Sequence, residues 1–267
     1  MKLLVALIAA AGCATSVAFV RRRRVDTRLN GLEARLKRRV ELTRKDLQPE
    51  VLALAERLGA SAEGITSFVT FEQSGSMWRS PGGKAFGFRA RETISAAVPG
   101  FMWRAVMDPL GSVWVADYFI DGQGGLEAWL GGAITLGREI GSDAIDQGEM
   151  LRYLAELPWN PDAILMNREL EWVVLDARTL KVAAGNGTKR GEVTFRLDGR
   201  GFVQEASAAS RLYIGKEGSV HRPWRGRFWD YQSVHGRKLP MEGEVAWVLD
   251  GRDFVYWRGR LSEWAAH

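Results

Sequence analysis

Three regimes of hydrophobic and polar spacing follow one another along the chain. Residues 3–20, LLVALIAAAGCATSVAFV, carry no charged side chain, and Arg21, Arg22, Arg23 and Arg24 follow at once. From Asp26 to Gly59 the apolar positions Leu29, Leu32, Leu36, Val40 and Leu47 recur at helical spacing with lysine and arginine between them, and VLALAERLG continues the pattern. Asn30-Gly31 is expected to interrupt this helical segment near its start, Pro49 to open a second helix from its first turn, and Gly59 to close it.

Beyond residue 60 the period changes to two. Ten short segments rich in Val, Phe, Tyr and Trp, from TSFVTFEQSG to DFVYWRGRL, read as strands. Gly82-Gly83, Asp121-Gly122, Asn186-Gly187, Asp198-Gly199, His235-Gly236 and Asp250-Gly251 stand among them as turns whose positive φ suits tight hairpins. The predicted fold is mainly β (α+β): a curved antiparallel sheet, half-barrel or sandwich of about ten strands. The stretch Leu126–Leu157 reads instead as a helical insertion, LEAWLGGAITLG and then DQGEMLRYLAEL, stopped by Pro158. The expected organisation is an anchor over 1–24, a basic amphipathic linker over 25–60 and a β-rich domain over 61–267.

The apolar run sets the membrane reading. Eighteen helical residues at ~1.5 Å each span roughly 27 Å, close to the ~30 Å of a bilayer core. A single-pass anchor in the cell inner membrane accounts for the run and for the arginine stop. Ala10-Ala11-Gly12-Cys13 also resembles a lipoprotein box, with Ala where Leu is usual three residues before the cysteine, and a cleaved secretory signal is the third reading. Lys2 alone precedes the run, whereas Arg21–Arg24, Arg28, Arg35, Lys37, Arg38 and Arg39 crowd after it, which places the following domain in the cytoplasm. Lipidation of Cys13 would place it outside.

Charge sharpens this picture. The net charge is +5, but residues 21–57 hold +6 and residues 58–267 hold −2. The basic character belongs to the linker, which either lies on anionic headgroups or docks an apolar stripe on the domain, and it argues against nucleic acid as a partner. With Cys13 as the only cysteine and three histidines, His221, His235 and His267, neither a disulfide nor a cysteine or histidine metal site is expected, and no cofactor is implied.

Eleven tryptophans are spread over nearly every predicted strand. Strands such as VAWVL and FVYWR are apolar on both faces, so each face meets a helix, a second layer or an apolar cavity. Trp103, Trp114, Trp172, Trp247 and Trp257 are the candidate lining of a cavity for a lipid or other hydrophobic ligand. Glu149, Arg152 and Glu156 share one helical face, as a solvated stripe or as a charged network at the cavity. A catalytic reading draws on Asp117, Asp121, Glu149 and Glu156 as carboxylates with Arg152 or His235. His221, Asp230, Tyr231 and His235 lie close in sequence, but no GxSxG serine accompanies them, and Ser74 and Ser210 lack the strand-turn-helix setting. Gly185–Gly191 superficially looks like a phosphate loop; without a following helix, a hairpin turn explains it better.

FEQSGSMWR (71–79), PGFMWRAVM (99–107), VADYFIDGQGGLEAWLGG (115–132), GEMLRYLAELPWNPDAIL (148–165), WRGRFWDYQSVHGRKLPMEGEVAW (224–247) and YWRG (256–259) resemble an uncharacterised bacterial family of unknown function. RYLAE-x-x-W-x-P is the most specific of these stretches. The resemblance implies a membrane-anchored domain and supplies no activity or site. In fold the chain looks like the half-barrels of outer-membrane lipoprotein carriers, an analogy of architecture. Three functions follow as expectations: a membrane-anchored binder of a hydrophobic ligand, an enzyme acting on a membrane-derived substrate, or a structural interaction domain.

Overall fold

The computed structural model describes residues 2–37, 46–61, 66–107, 111–215 and 218–267, of which 2–15, 214 and 215 are described by backbone alone. Val40, Arg38 and Arg39 lie outside the described residues, as do the side chains of most of the 3–20 run. Among the described residues no helix is long and apolar enough to cross a membrane.

Two meanders build one antiparallel sheet of 13 strands among the described residues. The first holds β1 (Phe68–Met77), β2 (Phe86–Ser95), β3 (Phe101–Met107), β4 (Val113–Ile120), β5 (Gln123–Leu130) and β6 (Ile134–Ile140). The second holds β7 (Glu171–Asp176), β8 (Thr179–Ala184), β9 (Gly191–Leu197), β10 (Val203–Gly215), β11 (Gly218–Val234), β12 (Arg237–Leu249) and β13 (Arg252–Ala266). β1 pairs with β13, Gln73 opposite Leu261, so the meanders fuse at their first and last strands and leave β6 and β7 as the edges. The sheet curls into a half-barrel.

Three of the expected turns have two-residue loops with both residues at positive φ: Asp121-Gly122, His235-Gly236 and Asp250-Gly251. This twist matches that of the flanking strands.

The strand count departs from ten because three strands lack the aromatic alternation used to find them. β8, TLKVAA, is short and aromatic-free. β5 and β6 occupy the LEAWLGGAITLG stretch read as helix. Leu126, Trp129 and Leu130 mimic helical spacing there, but Gly131 and Gly132, at φ 59° and 72°, turn the chain back on itself. The second half of the insertion is helical as expected, as α3 (Asp143–Ala155), capped by Ser142 Oγ accepting from the Ile145 amide at 3.3 Å.

α1 (Lys2–Leu36) runs unbroken through Asn30-Gly31, contrary to the expected interruption. Gly31 has open space around it, and Asn30 Oδ1 accepts from Arg104 at 2.7 Å, so the pair meets a tertiary contact in place of a turn. Leu29 and Leu36 bury against Met102, Ala116, Tyr118, Ile120 and Trp129 on the convex face of β3–β5. The apolar stripe of the basic segment is therefore docked on the sheet. α2 (Pro49–Arg57) starts at its proline and ends on Gly59 at φ 78°, where a Cβ would stand 2.3 Å from the Gly236 carbonyl oxygen. Only glycine fits there.

The main core fills the concave side, with Phe71, Phe88, Phe101 and Phe119 from one meander, Val182, Phe195 and Leu239 from the other, and α2, α3 and α4 (Pro161–Met166) laid across them. α3 bridges the two halves, touching β4 and β5 on one side and β9 and β10 on the other. Glycines let it sit that close: a Cβ on Gly124 would lie 2.9 Å from the Ile145 carbonyl oxygen, and one on Gly191 2.8 Å from Met150 Cγ.

Candidate functional site

Between α3 and the concave sheet lies a cavity of about 570 Å³, lined by side chains from both meanders. Met77, Phe86, Val115, Val245, Trp247 and Trp257 make its wall predominantly apolar. Leu126 and Leu136, 40% and 56% exposed, stand at its open edge on the β5–β6 hairpin.

Three of the five candidate tryptophans, Trp103, Trp247 and Trp257, line this space. Trp103 is held by its indole N–H, which donates to Gln73 Oε1 at 2.8 Å. Trp114 is not part of the lining. Strand alternation sends Val113, Val115 and Asp117 inward and Trp114 outward, beneath the Arg22 guanidinium at 4.2 Å from the ring centroid. Trp172 is also elsewhere, packed on Phe195 at the β7 edge.

Glu149 and Glu156 are buried, Arg152 is half-buried, and all three line the cavity, where Arg152 pairs with Glu156. Arg152 is the hub. Its Nε donates to Glu156 Oε1 at 2.8 Å, Nη1 to Asp117 Oδ2 at 2.7 Å and Nη2 to Glu92 Oε1 at 3.0 Å. The guanidinium also lies 4.6 Å from the centre of the Phe101 ring. Arg211 approaches Glu149 Oε1 at 3.7 Å and stands over the rings of Trp224 and Trp247.

Four carboxyls thus meet two guanidiniums. Burial, then repulsion from Glu156, pushes the Glu92 carboxyl well above the usual range. Burial and the neighbouring Asp117 charge do the same for Glu149. Burial opposes the charge on Arg152, but Glu156, Glu92, Asp117 and Glu149 more than offset it and hold the guanidinium protonated. One oxygen of each carboxyl, Glu92 Oε2, Asp117 Oδ1, Glu149 Oε2 and Glu156 Oε2, is buried without a donor facing it.

Two members were missed from the sequence. Glu92 carried a signal, since it occupies the inward phase of Phe88, Ala90 and Ile94 in β2. Arg211 carried none, because a bulge between Ala208 and Arg211 shifts the alternation.

Of the catalytic candidates, Asp117, Arg152 and Glu156 converge, while His235 sits in the β11–β12 turn and Asp121 in the β4–β5 turn, where it pairs with Arg35. His221 contacts Ser210 Oγ through Nδ1 at 2.8 Å on an exposed surface, and Asp230 bonds Arg260, so the two do not form a triad. Gly187–Lys189 is a single 3-10 turn within the connection between the antiparallel neighbours β8 and β9, and a strand follows it, not a helix. Among the described residues no group of three or more His, Cys, Asp or Glu side chains is placed to hold a metal ion.

The fold and site define a β half-barrel with a bridging helix and a largely apolar cavity open at one edge. The chain belongs to DUF6920, a family of unknown function whose model matches residues 55–265. No curated protein matches it. It is similar to the crystal structure of a LolA superfamily protein from Nitrosomonas europaea, at 9% identity and TM-score 0.42 over 80% of this chain and 92% of the other. It is also similar to that of a DUF1329 family protein from Desulfovibrio piger, at 13% identity and TM-score 0.48 over 83% of this chain and 94% of the other.

Proposed function

We propose that this protein is a membrane-anchored binder of a lipid or other hydrophobic ligand. The observation that carries the reading is the cavity: about 570 Å³ of mostly apolar space lies within the range of small-molecule sites. A domain in which every indole was close-packed would have no such space, and a purely structural role needs none.

Membrane attachment is part of the proposal. The uncharged 3–20 run begins α1, and Arg22 of that helix stacks on Trp114 beside Gly132, at the turn of the β5–β6 hairpin. Leu130 and Ile134 of the same hairpin are 42% and 55% exposed, and Val17, Phe19 and Val20 of α1 are exposed at that end. An apolar edge next to an apolar helix suits exchange of ligand with a bilayer. The lysine and arginine bias puts the domain on the cytoplasmic face of the cell inner membrane, with lipidation at Cys13 as the competing arrangement. Cys13→Ser separates these: membrane attachment persists if α1 is the anchor and is lost if the cysteine carries lipid.

The test of binding is native mass spectrometry of the full chain purified from cells, with solvent extraction and identification of what it retains. A stoichiometric hydrophobic molecule supports the reading. A chain that is empty and stays empty after incubation with a total lipid extract overturns it. The convergence of Asp117, Arg152 and Glu156 favours a second reading, acid–base chemistry on a membrane-derived substrate. Turnover of the retained molecule by the wild type, but not by Asp117→Asn, would distinguish it.

A further inference from the structure

The polar end of the cavity specifies the polar end of its ligand. Arg152 already spends three donor directions on Glu156, Asp117 and Glu92, and its face on Phe101. Arg211 lies between Trp224 and Trp247 against Glu149. Arg152 has no free fork for an anion, and the Arg211 charge is already faced by the Glu149 carboxyl at 3.7 Å. Arg79 stands at the exposed rim over Phe86, where water competes for any anionic group.

The acceptors are in the opposite condition. Glu149 is 3% exposed and lines the cavity, yet its Oε2 has no donor, and Asp117 Oδ1 beside it has none. Both carboxyls line the same end of the cavity, and the Asp117 charge adds to burial in raising the Glu149 carboxyl. The other groups around them are Glu92 on β2, Arg152 and Glu156 on α3, Arg211 on β10, and Tyr256 on β13, whose hydroxyl accepts from the Trp224 indole. Four carboxyls against two guanidiniums leave two positive charges to be supplied, as protons or as a cation.

We propose that the cavity takes an amphiphile whose head is a protonated amine, seated between Asp117 and Glu149, with its apolar chain along Trp103, Val115 and Val245. This rests on the ligand-binding reading above and names the ligand class of the same site. The ammonium donates to the orphan oxygens and replaces the proton that Glu149 holds in the empty protein. That proton leaves to solvent, so charge balances.

The test is native mass spectrometry of the full chain in a non-ionic detergent with dodecylamine, dodecanol and dodecanoate, together with an indicator dye that follows proton release. Dodecylamine is expected to be retained at least tenfold better than either analogue and to release a proton on binding. Glu149→Gln and Asp117→Asn should bring dodecylamine retention down to that of dodecanol and abolish the proton release, with the thermal unfolding midpoint of each variant reporting that it is folded. Equal retention of the three amphiphiles, or dodecanoate bound best, overturns the amine assignment and leaves the cavity reading standing. Retention of none overturns both.

Discussion

Arg152 Nη1 bonds Asp117 Oδ2 at 2.7 Å across 35 residues of chain, tying the bridging helix α3 to β4 of the first meander. The same guanidinium holds Glu92 and Glu156, so one cation offsets part of the charge of an acidic cluster whose remainder falls to Arg211 and to protons.

Removing that cation leaves three carboxyls facing one another in a low-dielectric site. Arg152→Met is expected to cost about 3–5 kcal/mol at neutral pH, as for breaking other buried pairs from one side. The cost should shrink in acid, where the carboxyls can take up protons. Chemical denaturation at pH 7 and pH 5 measures both, and a variant as stable as the parent at pH 7 would contradict the hub role.

Glu92 and Glu149 bind a proton more tightly in the folded protein than in the unfolded chain. Their stabilising contribution is therefore complete below the unfolded carboxylate range and is lost as pH rises through their raised folded values. Glu92→Gln keeps the acceptor oxygen for Arg152 without a group that can ionise. The variant should match the parent in acid and gain on it steadily as pH rises, read as the difference in denaturation midpoints. A difference that grows toward low pH would have the wrong sign.

Ala128 faces the cavity on β5, half-buried, with room beside it. Ala128→Trp should fill that space and reduce retained hydrophobic ligand by roughly tenfold, about 1.4 kcal/mol. Its melting temperature should stay within a few degrees of the parent's, since the indole enters empty volume. Undiminished retention in native mass spectrometry would place the ligand elsewhere.

Leu29, 2% exposed, anchors α1 on the convex face beside the Arg28 pair with Glu127 at 2.8 Å. Leu29→Ala should weaken this docking by about 2–3 kcal/mol. Amide exchange over residues 25–36 should accelerate while β1 and β13 stay protected. Uniform acceleration across the sheet would show that α1 and the half-barrel unfold as one unit.

Much of this architecture is written in local pattern. Period-two alternation marks ten of the strands, and Asp-Gly and His-Gly pairs mark their hairpins, because positive φ is a property of the residues themselves. Pro49 and Gly59 bound α2 for the same kind of reason. The helical spacing of Glu149, Arg152 and Glu156 placed them on one face from the chain alone.

Which way that face points was decided by packing. The same three residues would form a solvated stripe on an isolated helix; they became a buried network because Gly124 and Gly191 let α3 press between the meanders, where Glu92, Asp117 and Arg211 await them. Trp103 and Trp114 are equally hydrophobic, and only the pleat sent one into the cavity and the other under Arg22. β5 and β6 read as helix because short apolar runs fit both periods until a partner strand is present. Composition and spacing set which residues prefer burial or a turn, whereas the side of the sheet, the cavity and the meeting of distant charges depend on long-range strand order, which no local period encodes.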